Sequence, residues 1–309
     1  MEGCPRRLVC FMLLGWIALG GSGCAWLERP QTQWLGPPVL PPSPTLAQII
    51  QTVNANSAQI QSFATNQATL SGQGFPTLRA SVAFERQKRF RLRADTAFTG
   101  AELDLGSNED LFWMWVRRNQ PPAMYYCRHD QFATSPTRRM IPIEPVWLIE
   151  ALGIVEFDPT QNHQGPYPMP NGHWQIRTVR DTPQGPATKI TVVDAARALV
   201  LAQHLYDQRG QLTASAVASQ HRRDPLTGRI LPKVVDVSCP AAQFSMRIDL
   251  GNVTINQLSG DRAQLFGMPS YEGWPLVDLG NPNFQLPQAP PAMTMRNCVP
   301  CPGSSAMLR

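Results

Sequence analysis

Between Phe63 and Arg128 the chain reads as six short runs: Phe63 to Gly72, Leu78 to Gln87, Phe90 to Thr96, Ala101 to Gly106, Leu111 to Val116 and Ala123 to Arg128. Most are separated by Gly, Pro, Asn or Asp, the punctuation of strands joined by tight turns. Six more follow: Trp174 to Val179, Thr188 to Val193, Leu199 to Tyr206, Thr213 to Ser219, Lys233 to Ser238 and Phe244 to Leu250. Eleven or twelve short strands with brief connections suit one antiparallel meander. No internal repeat divides them.

Alternation then says which faces are dry. In FRLRAD, Phe90, Leu92 and Ala94 oppose Arg91, Arg93 and Asp95; in SVAFER, Val82 and Phe84 oppose Ser81, Ala83 and Glu85. Successive strand residues point to opposite faces, so these strands have one apolar face and one wet face. NEDLFWMWVRR breaks the rule. Leu111, Trp113 and Trp115 point one way and Phe112, Met114 and Val116 the other, so both faces need a cover. The C-terminal region around Trp274 is the candidate for one of them.

Two helices are available to fill an enclosed side. Thr45 and Gln48 form a capping-box pair, and Leu46, Ile49, Ile50, Val53 and Ile60 recur at helical spacing, predicting an amphipathic helix from Thr45 to about Gln61 with Gln51, Asn54 and Gln59 on its polar face. Pro142 to Gly153 predicts a short apolar helix carrying Trp147, Leu148 and Leu152. Asp158 to Gly172 reads as a long Pro/Gly loop, able to hinge that helix. A curved sheet of this size does not fill its interior with its own side chains, so a space remains for helices or a ligand. Its wall is assigned to Ile49, Val53, Val82, Phe84, Phe90, Leu92, Leu103, Phe112, Met114, Trp147, Leu148 and Leu152. Plain core packing competes with this assignment at every position, most strongly on the Phe112–Met114 strand.

The N-terminus reads as an export signal. Arg6 and Arg7 precede about thirteen mostly apolar residues, Leu8 to Gly20, and Gly21-Ser22-Gly23 lead into Cys24. The apolar run is roughly 20 Å long as a helix, short of the roughly 30 Å needed to span a bilayer. Small residues followed at once by a cysteine resemble the bacterial lipobox, although Gly21 stands where an aliphatic residue is usual. That resemblance implies cleavage before Cys24 and a diacylglycerol and fatty acyl group on it; an uncleaved anchor is the alternative. Six prolines between Pro30 and Pro44 make the next stretch an extended tether. Of seven cysteines, Cys127, Cys239, Cys298 and Cys301 remain in a mature chain, an even number with no pairing determined. Cys298-Val-Pro-Cys301 lies in a proline-rich tail, where a disulfide or a free pair fits better than redox catalysis.

The helix followed by FATNQATLSGQG and LRASVAFERQKRFRLRADTAFTGAELDLGSNEDLFWMWV, then strands, a lid-like helix and more strands, resembles the LolA/LolB group of bacterial lipoprotein carriers and its outer-membrane lipoprotein-sorting relatives. The likeness is best from Leu46 to about Gly153. It implies an α+β, mainly β fold: a strongly curved, unclosed antiparallel half-barrel of about eleven strands wrapped around two or three helices. It also implies an apolar cavity that receives acyl chains, and a location in the cell envelope, lipid-anchored and facing the periplasm from the outer membrane. The corresponding division is a signal peptide at 1–23, lipidated Cys24 with its tether at 24–44, the half-barrel at 45–267, and a Pro-rich extension, expected to be largely disordered, at 268–309.

Other chemistries find little footing. The excess of five positive charges is spread along strands and turns, which argues against nucleic acid. Neither a nucleophile elbow, a zinc-protease motif nor a phosphate loop is present. Glu102, Asp104, Glu109 and Asp110 read as carboxylates that solvate turns. The five histidines lack ligand spacing, apart from Cys127 and His129, which are too few for a zinc site. The expected partners are lipid or lipoprotein acyl chains, the membrane, and a periplasmic carrier protein; no cofactor beyond the Cys24 acyl groups and no enzymatic activity are expected. The alternative is an envelope scaffold or stress sensor that uses the same fold to bind a protein.

Overall fold

A computed structural model describes residues 35–132, 134–135, 145–182 and 185–284. The signal segment, Cys24, most of the tether, Cys298 and Cys301 lie outside the described residues.

Helix α1 (Leu46–Ala58) starts where the capping box placed it. The Gln48 N–H donates to Thr45 Oγ1 at 3.2 Å, and the Thr45 N–H donates to Gln48 Oε1 at 2.8 Å, so two of the orphan donors of the first turn are satisfied. Strands β1 (Ser62–Gly72), β2 (Phe75–Glu85), β3 (Arg89–Thr96), β4 (Gly100–Ser107), β5 (Leu111–Val116) and β6 (Met124–Arg128) form the expected meander. Helices α2 (His129–Phe132) and α3 (Pro145–Ala151) follow. Next come β7 (Asn162–Pro168), β8 (Trp174–Thr182), β9 (Gly185–Val193), β10 (Val200–Tyr206) and β11 (Leu212–Ser219), then a small hairpin of β12 (Arg222–Arg223) and β13 (Ile230–Leu231). Strands β14 (Val234–Cys239) and β15 (Phe244–Asp249), the short β16 (Thr254–Ile255), α4 (Arg262–Phe266) and β17 (Leu276–Asp278) complete the described elements.

Among the described residues fifteen strands share one sheet, in the order β17-β6-β5-β4-β3-β2-β1-β15-β14-β11-β10-β9-β8-β7, with β16 beside β1. Its two ends, β17 and β7, do not pair, so the sheet is unclosed. Every pairing is antiparallel except β17 with β6, which makes the sheet mixed at one edge. The Asp158–Gly172 stretch is not a free loop as read from sequence: β7 occupies its middle and pairs with β8. Edge strands tolerate proline because one row of their N–H groups faces no partner, and β7 carries Pro166 and Pro168.

The inner face holds the main core. Phe90, Leu92 and Ala94 from β3 join Leu70, Val82, Phe84, Val237 and Ile248, and α3 packs onto them through Trp147, Leu148 and Leu152. A second core lies beneath α1, where Ile49 and Val53 meet Val155, Phe157, Ile176 and Val193. Asn54 does not face solvent as its place on the polar side predicted. Its amide donates to the Phe157 carbonyl at 2.9 Å and accepts from the Phe157 N–H at 2.8 Å, stitching α1 to the segment after α3.

The doubly apolar strand β5 has both faces covered. Outside, Trp113, Trp115 and Met124 lie under Met268, Tyr271 and Trp274, with the rings of Trp115 and Tyr271 stacked 4.0 Å apart. Inside, at the β6 margin, Phe112 and Cys127 meet Phe132, Leu279 and Phe284. Residues 268–284 therefore pass round the sheet edge, contributing β17 between the outer and inner covers. This part of the 268–309 extension is ordered because its aromatics bury against the β5 tryptophans, and 285–309 lie outside the described residues.

The candidate ligand cavity

The inner face leaves a hollow of about 520 Å³ that its side chains do not fill. Its wall draws on seven adjacent strands, from Met114 on β5 through Leu103, Phe90, Leu78, Leu70 and Met246 to Val237 on β14. Laid flat at about 4.8 Å per strand those seven would span roughly 29 Å. One small hollow touching both ends of that span requires the sheet to curve around it. Leu148 of α3 closes one side, and α3 is held to the sheet by an ion pair between Glu150 Oε2 and Lys189 Nζ on β9, 2.8 Å apart and largely buried.

Of the residues assigned to the wall from sequence, Phe90, Leu103, Phe112, Met114 and Leu148 line the hollow. Val82, Phe84, Leu92, Trp147 and Leu152 do not; they are buried in the inner-face core beside it. Ile49 and Val53 lie in the separate core beneath α1. The sequence reading overlooked the β14–β15 contribution, including Val237, Cys239 and Met246. Alternation of Val235, Val237 and Cys239 against Asp236 and Ser238 was the available signal, but only the β1–β15 pairing, with β14 beside β15, brings those residues onto the same inner face as Leu70.

Cys239 places a free thiol in the wall, and burial pushes it up to about 11. Cys127 is also free and buried, and burial, with Asp278 and Asp130 adding to it, raises its thiol to about 11. Both are held protonated at neutral pH, which makes them slow nucleophiles.

The polar groups gather at one end, among the turns β1–β2, β3–β4, β5–β6 and β14–β15. There Thr96, Glu102 and Arg118 line the hollow, and Phe98 at the tip of the β3–β4 turn is 97% exposed. Glu102 and Asp104 are strand residues with buried side chains, not turn carboxylates as the sequence reading had them. Asp104 faces the outer side, fully buried. It accepts from Arg91 Nη2 at 2.7 Å, Arg91 Nε at 3.2 Å, the Tyr271 hydroxyl at 2.8 Å and Trp113 Nε1 at 3.1 Å. Arg91, read as part of a solvated strand face, also donates to the Leu265 carbonyl at 3.1 Å, so one buried cluster ties α4 and, through Tyr271, the 268–284 segment to the sheet.

The histidines are held singly. His129 Nε2 lies 2.9 Å from the Asn108 carbonyl, His204 Nδ1 lies 2.8 Å from Ser215 Oγ, and burial lowers the pKa of both rings. Among the described residues no three His, Cys, Asp or Glu side chains gather to hold a metal, and no helix is long and apolar enough to cross a membrane.

No family model matches the chain, and no curated protein matches it in sequence. Solved structures resemble it in shape. A domain assigned to outer-membrane lipoprotein sorting from Vibrio parahaemolyticus is 9% identical, with 69% of this chain and 94% of that one covered at a TM-score of 0.47. A LolA-superfamily protein from Nitrosomonas europaea is 11% identical over 73% and 99% of the two chains, with a TM-score of 0.46. A DUF1329-family protein from Desulfovibrio piger is 11% identical over 70% and 96%, with a TM-score of 0.45.

Proposed function

We propose that this chain is an envelope lipoprotein that binds acyl chains in the inner-face hollow. Anchored to the outer membrane through acylated Cys24, it acts in lipid or lipoprotein transfer without catalysing a reaction and without a cofactor. The observation carrying this reading is the unfilled apolar space of about 520 Å³. Protein interiors are close-packed, and voids beyond the size of a water molecule are few. A hollow this large, walled by Leu, Phe and Met, gains most by taking up hydrocarbon, worth about 0.8 kcal/mol per buried CH₂. The exposed Phe98 sets an apolar tip beside the opening.

The test is lipid extraction and mass spectrometry of the purified chain, together with titration by a fluorescent fatty acid. Copurifying acyl lipid, and probe binding abolished by Met114→Asp or Leu148→Asp while the circular dichroism spectrum holds, is the expected result. A folded, monodisperse protein with no extractable lipid and no probe binding overturns the reading and leaves a scaffold that binds a protein partner.

A further inference from the structure

The apolar lining gives way to charge at one end only, and the backbone there is built to make it so. Ala94 on β3 pairs with Leu103 on β4, but the next residue, Asp95, pairs with Ala101, so Glu102 is an extra residue opposite no partner. A bulge re-aims the side chain it carries. Strict alternation would send position 102 to the outer face with Asp104; the bulge brings its carboxylate to the rim of the hollow instead.

Glu102 is 8% exposed and accepts from the Thr99 hydroxyl. It lies 3.7 Å from Arg117 Nε and 3.4 Å from Arg118 Nε. Two guanidinium groups on one carboxylate leave an excess positive charge at the opening. Arg117 is already committed, its Nε donating to the Ala101 carbonyl at 2.8 Å. Arg118 is 70% exposed and makes no other polar contact among the described residues, so its terminal nitrogens are open to a ligand. A guanidinium presents paired donors that match a carboxylate or a phosphate.

The lining sets what hangs from that head group: a space of about 520 Å³ walled by Leu, Phe and Met accommodates hydrocarbon.

We propose that the hollow takes an anionic amphiphile, its hydrocarbon against the inner face and its carboxylate or phosphate on Arg118, with Glu102 as the positioning residue that holds the guanidinium at the rim. This rests on the acyl-binding reading and narrows it to a head-group charge.

The full chain, stripped of bound lipid, is titrated with palmitate, hexadecyl phosphate, hexadecanol and hexadecyltrimethylammonium, and binding is read by native mass spectrometry. The anionic probes are expected to bind about ten-fold more tightly than hexadecanol or the ammonium probe. Whichever of palmitate and hexadecyl phosphate binds better identifies the head as carboxylate or phosphate. Arg118→Gln should erase the preference for the anionic probes, with an unchanged circular dichroism spectrum and urea midpoint certifying that the variant folds. Equal binding of charged and neutral probes, or a preference that survives Arg118→Gln, overturns the head-group assignment while the hollow remains an acyl site. Failure of all four probes overturns the acyl-binding reading itself.

Discussion

The indole of Trp113 lies across the backbone of Gly106, its direct partner on β4: a Cβ built on Gly106 would sit 2.0 Å from Trp113 Cζ2. Glycine is required there because the ring uses the space of the absent side chain, and in that position its Nε1 reaches Asp104. Gly106→Ala must displace the ring. The expected cost is about 1–3 kcal/mol, the usual range for overpacking, seen as a lower urea midpoint at unchanged slope. Adding Trp113→Ala to Gly106→Ala should show the two losses to be non-additive, since the second change removes the clash.

Asp104 is the centre of the outer clasp. Asp104→Asn removes the charge facing Arg91, whose side chain is 15% exposed, and an uncompensated buried charge typically costs about 3–5 kcal/mol. Arg91 retains carbonyl partners in α4, so about 3 kcal/mol is expected, read by chemical denaturation. The Arg91→Met, Asp104→Asn pair should be more stable than Asp104→Asn alone. If it is not, the destabilisation has another origin than the unpaired guanidinium.

Stability should fall on the alkaline side in two windows. Burial pushes the Cys127 and Cys239 thiols from an ordinary 9.0 up to about 11, and burial, aided by the hydrogen bond and charge of Asp104, pushes the Tyr271 hydroxyl from 10.0 up to about 12. The folded chain keeps these protons where the unfolded chain has released them. Their contribution is therefore complete below pH 9 and is lost as pH rises, at up to about 1.4 kcal/mol per pH unit for each proton. Urea melts from pH 8 to 12 should show the decline. The double variant Cys127→Ala, Cys239→Ala should flatten it between 9 and 11, and Tyr271→Phe between 10 and 12.

The two thiols also report on the hollow. Cys239 is in its wall and Cys127 is packed away at the β6 margin. An apolar maleimide at pH 8 should label Cys239 slowly and Cys127 far more slowly, and saturating fatty acid should block the first without changing the second. Peptide mass spectrometry distinguishes them. Equal protection of both, or of neither, removes Cys239 from the ligand's surroundings.

Asn54 offers a test of how α1 is held. Replacing it with Leu leaves the buried N–H and C=O of Phe157 without the partner that serves both. An unsatisfied buried group costs about 1–3 kcal/mol, so a loss of about 2 kcal/mol is expected in thermal or urea unfolding. Helix content should change little, because the Thr45–Gln48 box remains.

Much of this architecture is written locally. FRLRAD and SVAFER state their inner and outer faces by alternation, Thr45 and Gln48 state where a helix begins, and LFWMWV states that two covers exist. What local pattern does not state are the partners. β7 was unreadable because Gly165-Pro166 inside it is the signature of a loop, and only its place at the sheet edge makes it a strand. Asp104 and Glu102 look alike in ELDLG. Their fates separate because Tyr271 arrives from 167 residues away to bury one, and a bulge opposite Ala94 turns the other. Ile49 and Val53 have the helical spacing expected of a cavity wall, but α1 settles over β8 and β9 instead, where Ile176 and Val193 receive them.

The hollow spans the seam where β1 meets β15, with Leu70, Phe90 and Met114 on one side and Val237 and Met246 on the other. In a chain growing from its N-terminus, the first half of the wall is made long before the second. Until Met246 has left the ribosome, a broad apolar surface lacks its partner strands. Chaperone dependence should therefore be greatest for nascent chains halted between β6 and β14, and no such truncated chain can have a pocket to load.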